Sequence, residues 1–186
     1  ESIGMGLYYK STRNSKLKVT ASEAILKGLA PDGGLFVPSE LPKLDVSMSD
    51  LKGKTYQEIA YLVMKQFLTD FTEEELKSCI DKAYDSKFDT EEIAPLVKVD
   101  DTYYMELFHG ATIAFKDMAL SILPHLMTTS AKKNDVNVNS LNVNCNIVSA
   151  CGSFSNGNIL SVIPIKIIPA IKKNIYVFLY SFGIFL

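Results

Sequence analysis

The feature that most constrains this chain is a segment around Lys116 that combines a turn with the start of a helix. Gly110 marks the turn, and an apolar run with helical spacing begins close to the lysine. The run consists of Phe115, Met118, Ala119, Ile122, Leu123 and Leu126. A lysine at such a junction can direct its amine toward the turn and the strand before it. We therefore consider Lys116 a candidate for covalent binding of a carbonyl cofactor.

The whole segment 106–117 reads Glu-Leu-Phe-His-Gly-Ala-Thr-Ile-Ala-Phe-Lys-Asp. It closely resembles the cofactor-lysine motif of the threonine synthases, except that Ala111 stands where the family usually has proline. The resemblance implies that Lys116 is the catalytic lysine and binds pyridoxal 5′-phosphate as a Schiff base, with Phe115 beside the cofactor. The amine must be uncharged to attack a carbonyl, so we expect Lys116 to be buried. The alternative is an ordinary amphipathic helix start with a solvated lysine.

Two N-terminal segments also resemble this family, namely residues 9–13 (Tyr-Lys-Ser-Thr-Arg) and the glycine-rich residues 28–38. The resemblance covers about residues 7–133. It implies an α/β fold of the pyridoxal-phosphate-dependent, tryptophan-synthase-β type, here incomplete, with a small α+β domain at its N-terminus. We predict an N-terminal domain over residues 1–95. The start of a cofactor-binding α/β domain would follow over residues 96–186, truncated or divergent after residue 134.

The composition changes abruptly near Asn134. Of the 40 charged residues, 36 precede Asn134, and nine of the ten asparagines follow Lys133. Residues 144–150 and 175–180 have the composition of strands, and a glycine-bearing loop and a short helical stretch between them predict a βαβ unit. A shift of this kind indicates a domain boundary, a buried parallel sheet, or a tail that is not the biological sequence.

The loop within that unit is the candidate for contacts to the cofactor. Threonine synthases carry a Ser-Gly-Asp-Thr-Gly loop shortly after the lysine helix, and here residues 153–157 read Ser-Phe-Ser-Asn-Gly. The resemblance implies cofactor contacts from Ser153, Asn156 and Gly157. The same stretch also resembles, more weakly, the family's later Gly-Asn-Phe-Gly-Asn phosphate loop. An ordinary turn between strand and helix remains the alternative.

The resemblance implies a lyase that converts O-phospho-L-homoserine and water to L-threonine and phosphate. Such an enzyme acts in threonine biosynthesis and thus in amino-acid biosynthesis. One alternative is a threonine-synthase-like phospho-lyase acting on a related amino-alcohol phosphate. Another is a truncated, non-catalytic homologue that acts as a binding protein. The sequence leaves open whether the chain forms a homo-oligomer and whether it is active alone.

Charge and cysteine content exclude several other classes. A net charge of −2, with Arg13 the sole arginine, predicts no nucleic-acid surface. Cys79, Cys145 and Cys151 lack the spacing of a metal or disulfide framework, so we expect no metal and a cytoplasmic protein. We also expect no membrane span and no signal peptide, because no apolar run reaches ~20 residues and no basic region precedes an apolar N-terminal core.

Helix starts are the clearest local signals. The spacing Thr-x-x-Glu of a capping box recurs at Thr20, Thr55 and Thr72 and predicts three helices, ending near Gly28, Leu68 and Tyr84. We predict a buried stripe of Ile59, Leu62, Val63 and Phe67 on the second helix, and of Leu76, Cys79, Ile80 and Ala83 on the third. We also predict strands at residues 7–12 and near Val37, a hairpin of residues 96–99 and 102–107, and one helix over residues 115–132.

Overall fold

The structure is a computed structural model that describes residues 6–44 and 46–137. Helices and short strands alternate over this range. In chain order they are β1 (Tyr9–Ser11), α1 (Ala21–Lys27), β2 (Phe36–Pro38), α2 (Met48–Leu51), α3 (Tyr56–Phe67), α4 (Glu73–Ala83), β3 (Leu96–Val99), β4 (Thr102–Met105), α5 (Asp117–Leu120) and α6 (Leu123–Lys133). The predicted βαβ unit of residues 144–180 lies outside the described residues.

The three predicted capping boxes are all present. Thr20, Thr55 and Thr72 each accept a hydrogen bond from the backbone N–H three residues on, and the glutamate there accepts from the threonine N–H. A fourth box, which we did not predict, joins Ser47 to Asp50 and begins α2. It was missed because aspartate replaces glutamate at the third helical position. Each box satisfies backbone donors that the first helical turn would otherwise leave unpaired.

The buried faces of α3 and α4 differ in how well they follow the predicted stripes. On α4, Leu76, Cys79, Ile80 and Ala83 are all buried, as predicted. On α3 the stripe is displaced, because only Phe67 of the predicted set is buried, whereas Met64 is buried too. Ile59, Leu62 and Val63 are half-buried. The face of α3 that meets α4 is therefore centred on Met64 and Phe67.

The single helix predicted for residues 115–132 is wrong: α5 ends at Leu120 and α6 begins at Leu123. Pro124 explains the interruption, because it lacks the N–H that would bond to the carbonyl of Leu120, four residues earlier. Its ring would also clash with that carbonyl in a continuous helix. Within α6 the proline occupies the first turn, where its missing N–H costs nothing. Ser121 and Ile122 therefore separate the short helix next to Lys116 from α6.

Two antiparallel strand pairs accompany the helices in the described range. β1 pairs with β2, so that Lys10 faces Val37, and this pairing brings together the two N-terminal segments singled out in the sequence. β3 pairs with β4 in the predicted hairpin, with Val97 opposite Tyr104. All eight hairpin residues are exposed. Asp100 turns the hairpin with a φ of 53°, a left-handed conformation that aspartate tolerates better than most residues.

One hydrophobic cluster joins the first and last parts of the described range. It contains Tyr9 and Val19 from the N-terminal region, Ile80 from α4, Tyr84 just after α4, and Leu126 from α6. The cluster thus crosses residue 95, where we predict a domain boundary, and that division stays a prediction. Among the described residues, no helix is both long and apolar enough to cross a membrane.

Candidate functional site

The backbone around Lys116 is held by the carboxylate of Asp117. Asp117 is buried, and its Oδ2 accepts a hydrogen bond of 2.7 Å from the Thr112 N–H, while its Oδ1 accepts from Thr112 Oγ1. Asp117 also occupies the first turn of α5, where a negative charge is favourable. Its hydrogen bonds, however, close the loop of residues 112–117 instead of capping the helix.

Gly110 makes this closure possible because it leaves room for the carboxylate. A β-carbon at this position would lie 2.5 Å from Asp117 Cβ and 2.6 Å from Asp117 Oδ2, well inside contact distance. The Ile113 N–H then bonds back to the Gly110 carbonyl at 3.0 Å. The glycine of the motif is therefore required by packing, and the loop folds tightly over it.

Ile113 is strained within this loop. Its φ is 57°, in the left-handed region that a β-branched side chain rarely adopts, and its side chain is 75% exposed. Burial of the side chain therefore does not compensate for the strain. Two backbone hydrogen bonds hold this conformation: the Thr112 N–H donates to the Asp117 carboxylate, and the Ile113 N–H donates to the Gly110 carbonyl. Strain of this kind is concentrated at functional loops in proteins, and here it lies three residues before Lys116.

His109 begins the loop and is clamped between two carboxylates. Its Nδ1 lies 2.5 Å from Asp89 Oδ1, and its Nε2 lies 2.8 Å from Glu106 Oε2. The ring also lies against Phe108, with 4.6 Å between ring centroids. The hydrogen bonds to Glu106 and then to Asp89 raise the pKa of His109 above its usual value. Both ring nitrogens of the histidine are thus engaged by carboxylates.

The helix that follows Lys116 is anchored from inside the core. The fully buried Tyr84 donates a hydrogen bond of 2.6 Å to the carbonyl of Met118, in the middle of α5. The Gln57 side chain in turn donates to the carbonyl of Tyr84 at 2.6 Å. Burial raises the pKa of Tyr84 well above its usual value, so the phenol stays protonated and remains a donor. The base of the Lys116 loop is therefore fixed by the core.

Lys116 itself lies at the N-terminal boundary of α5 and is exposed, so our expectation of a buried lysine is wrong for the described residues. Phe115 is 56% exposed beside it. Ser153, Asn156 and Gly157, which we predict to contact the cofactor, lie outside the described residues. The structure therefore brings together Phe115, Lys116 and their supporting loop.

His125 and Arg13 lie in different surroundings. Burial lowers the pKa of His125, with contributions from Lys87 and Lys82, which fits a structural residue of α6. Arg13 is exposed and donates from Nη1 to the Asp32 carbonyl at 3.1 Å, which links the two N-terminal segments. Over residues 6–44 and 46–137, no three His, Cys, Asp or Glu side chains are grouped so as to hold a metal ion.

Sequence reasoning missed the partner of His109 across the chain. Asp89 lies 20 residues before it, in a segment without a helix or strand, and no local pattern marks it. Glu106 could have been predicted as a hydrogen-bond partner of His109, because it precedes the histidine by only three residues in the chain. The role of Gly110 as a packing residue against Asp117 also had no signal in the sequence, since the contact depends on how the loop folds.

The sequence of this chain is similar to those of several known proteins. Residues 8–84 match a family model described as the threonine synthase N terminus. The chain is 43% identical over 122 residues to threonine synthase from Schizosaccharomyces pombe, covering 63% of this chain and 24% of that protein. It is 40% identical over 110 residues to human threonine synthase-like 1, of which it covers 15%. It thus spans about a quarter of the length of the threonine synthases that it matches.

The fold is similar as well as the sequence. A crystal structure of threonine synthase from Brucella melitensis with bound pyridoxal phosphate matches with a TM-score of 0.63 and 32% identity. The match covers 70% of this chain and 28% of the Brucella chain. The predicted α/β fold and the predicted resemblance to the N-terminal portion of threonine synthases are thereby confirmed.

Proposed function

We propose that this chain, which carries the N-terminal portion of a threonine synthase, binds pyridoxal 5′-phosphate covalently through Lys116. We further propose that it takes part in converting O-phospho-L-homoserine and water to L-threonine and phosphate. The observation that supports the proposal most is the position of Lys116. It is an exposed lysine at the start of α5, on a loop closed by the hydrogen bonds between Asp117 and Thr112.

The described residues fit the covalent part of a cofactor site. Lys116 would hold the cofactor through its side-chain amine, and Phe115, the preceding residue, is exposed next to it in the chain. The phosphate of the cofactor needs backbone N–H donors at a glycine loop or a helix start. We propose Ser153, Asn156 and Gly157 for contacts to the cofactor, and these residues lie outside the described range.

When bound, pyridoxal phosphate supplies an electron sink for negative charge that develops on the substrate carbons. The protein must supply the proton transfers. Lys116 Nζ would accept and return protons as general base and acid. The neighbouring loop would limit the positions that this amine can reach, because both Tyr84 and the Asp117–Thr112 hydrogen bonds hold the backbone on which it stands.

The proposal extends to the setting of the whole protein. Because the chain spans about a quarter of the threonine synthases that it matches, complete turnover is proposed for a protein that also supplies the remaining parts of the fold. We place the reaction in the cytoplasm, in amino-acid biosynthesis, and leave a homo-oligomer as a proposal. The comparisons favour a threonine synthase over a related phospho-lyase, because threonine synthases recur among both the sequence and the structural matches.

The test is cofactor trapping on the full chain. Pyridoxal phosphate is added, the absorbance of the bound cofactor is recorded, and borohydride reduction is followed by peptide mapping. We expect one dominant adduct on Lys116 and its loss in Lys116→Ala. Lys98→Ala, which removes another exposed lysine, is the matched control and keeps the adduct. Phosphate release from O-phospho-L-homoserine is then measured.

The outcomes separate the alternatives. A specific adduct followed by phosphate release supports the proposed function. A specific adduct without release from phosphohomoserine, but with release from another amino-alcohol phosphate, would favour the phospho-lyase. Adducts scattered over many lysines would show that this chain lacks a formed cofactor site and would favour the non-catalytic binding protein.

A further inference from the structure

We propose that His109 is a positioning residue for Lys116: as an imidazolium clamped by Asp89 and Glu106, it ties the start of the lysine loop to the segment before β3. The inference rests on the proposed function of Lys116 for its consequence in catalysis. The clamp itself is independent of that function. It assigns a role to Asp89, a residue that no sequence pattern singled out.

The first step is the hydrogen-bond inventory of the histidine. Both ring nitrogens face carboxylate oxygens, at 2.5 Å to Asp89 and 2.8 Å to Glu106. Carboxylates only accept hydrogen bonds, and a neutral imidazole has one donor, so a neutral His109 could satisfy only one of them. The imidazolium, with two donors, satisfies both. The arrangement therefore selects the charged ring.

The second step is where the clamp acts. The imidazole is only 15% exposed and Glu106 28%, whereas Asp89 is 75% exposed. Asp89 is also bound to the histidine through the backbone, because its N–H donates to the His109 carbonyl at 3.1 Å. Two contacts thus fix His109 to a segment 20 residues earlier in the chain. The clamp therefore anchors the start of the lysine loop to this earlier segment.

The third step connects the clamp to the lysine. Gly110, the residue after His109, packs against Asp117, and Asp117 closes the loop through Thr112. A shift of His109 would move Gly110 toward or away from the Asp117 carboxylate. The close packing of Gly110 against Asp117 leaves little room for such a movement. The strained φ of Ile113 shows that the loop is held by its surroundings. Lys116 is therefore set by two attachments, the His109 clamp on one side and Tyr84 on the other.

The clamp implies a direction of pH dependence. The pKa of His109 is raised in the folded chain, so the stabilisation is complete below the unfolded value of 6.5 and is lost as the pH rises through the higher folded value. Above it, one of the two hydrogen bonds is lost, because a deprotonated nitrogen faces a carboxylate. Asp89 and Glu106 are the groups that face the ring.

The first experiment tests the clamp without any cofactor. The imidazole of His109 is titrated by NMR in the full chain, with His125→Gln used to assign the two histidine signals. We expect His109 to titrate above 6.5, and both Asp89→Asn and Glu106→Gln to lower its midpoint. Asp89→Glu keeps the charge and should retain most of the shift. A midpoint at or below 6.5 that neither variant moves would overturn the clamp.

The second experiment tests positioning. Amide exchange of the Thr112 N–H is compared at matched pH in the wild type, Asp89→Asn, His109→Gln and the His125→Gln control. We expect protection to fall several-fold in the first two variants and to stay unchanged in the control. Asp89 is exposed, so its variant tests the clamp without disturbing the core. Unchanged protection in Asp89→Asn and His109→Gln would overturn the positioning role.

The third readout joins the inference to the proposed function. Borohydride-trapped pyridoxal phosphate on Lys116 is divided by that on Lys52, an exposed lysine of the same chain, which cancels the general effect of pH on lysines. We expect the ratio to fall several-fold in Asp89→Asn and as the pH passes the His109 midpoint. A ratio near one in the wild type would refute the cofactor proposal while the NMR and exchange results still decide the clamp. A high ratio, unchanged in Asp89→Asn, would refute positioning alone.

Discussion

At the scale of single residues, hydrogen bonds to one buried carboxylate decide the course of the backbone beside Lys116. Asp117 accepts both hydrogen bonds from Thr112, and Gly110 provides the space in which the carboxylate lies. Neither residue needs to contact a cofactor in order to influence the position of Lys116. Together they hold the backbone of the loop that leads to Lys116.

Gly110→Ala tests this packing. The added β-carbon would lie 2.5 Å from Asp117 Cβ, so either the carboxylate or the loop must move. We expect the free energy of unfolding to fall by ~1–3 kcal/mol, as for overpacking of other well-packed sites. Urea denaturation measures it, and Ala111→Ser, at an exposed neighbouring position, should change it by less than ~0.5 kcal/mol. Equal stability of Gly110→Ala and wild type would show that the site is not packed as described.

At the scale of elements, capping boxes begin α1, α2, α3 and α4. The box of α4 also links two helices. Glu75 Oε2 accepts from the Thr72 N–H and from Lys133 Nζ, both at 2.9 Å. It therefore caps α4 and holds the end of α6 against it. Lys133 is the last residue of α6, where a positive charge is also favourable for the helix dipole. One carboxylate thus couples local helix formation to the packing of distant parts of the chain.

The pH dependence of stability tests this coupling. Burial acts to raise the pKa of Glu75, but the Thr72 amide and the Lys133 ammonium outweigh it and hold the pKa below its ordinary value of 4.5. The contribution of Glu75 is therefore present above pH 4.5 and is lost as the pH falls through the lowered pKa. We expect Glu75→Gln to be less stable than wild type at pH 7, with the two unfolding curves converging in acid.

The control for this prediction is Glu74→Gln, which removes an exposed carboxylate from the same turn. Its stability should follow that of the wild type closely across the pH range. Denaturant midpoints measured from pH 7 down to pH 3 give the comparison. Curves for Glu75→Gln and wild type that stay parallel into acid would contradict the linkage.

At the scale of the whole molecule, the described residues form a core that draws on both ends of the described range. Leu126 of α6 is fully buried in the same cluster as Tyr9 and Ile80. Large apolar side chains nevertheless remain exposed around the hairpin and the lysine loop, among them Leu96, Tyr103 and Phe108. The stability of this part of the chain therefore depends on the helices rather than on the hairpin, since an isolated two-stranded hairpin is marginal in water.

Leu126→Ala tests this distribution of stability. Removing a fully buried leucine loses its transfer free energy and leaves a cavity, so we expect a loss of ~2–5 kcal/mol in the free energy of unfolding. Leu41→Ala is the matched control, because Leu41 is 76% exposed, and it should change stability by less than ~0.5 kcal/mol. Thermal or urea unfolding decides between them, and equal effects at the two positions would contradict the proposed core.

The amino-acid sequence alone was sufficient to predict the features that depend on neighbours along the chain. Three capping boxes, the buried stripe of α4 and the β3–β4 hairpin follow from residue spacing, and all are present. The contiguous motif around Lys116 was sufficient to indicate the resemblance to threonine synthases. Local hydrogen bonds and side-chain periodicity operate over a few residues, so their pattern can be read without knowing the fold.

Only the tertiary structure decided what depends on distant residues. The buried face of α3 is set by which side meets α4, and it centres on Met64 and Phe67, of which only Phe67 was predicted. The partnership of His109 with Asp89 crosses 20 residues, and the exposure of Lys116 depends on what the rest of the fold places over it. Contacts between segments far apart in the chain are made by packing, because burial and electrostatics act through space and not along the sequence.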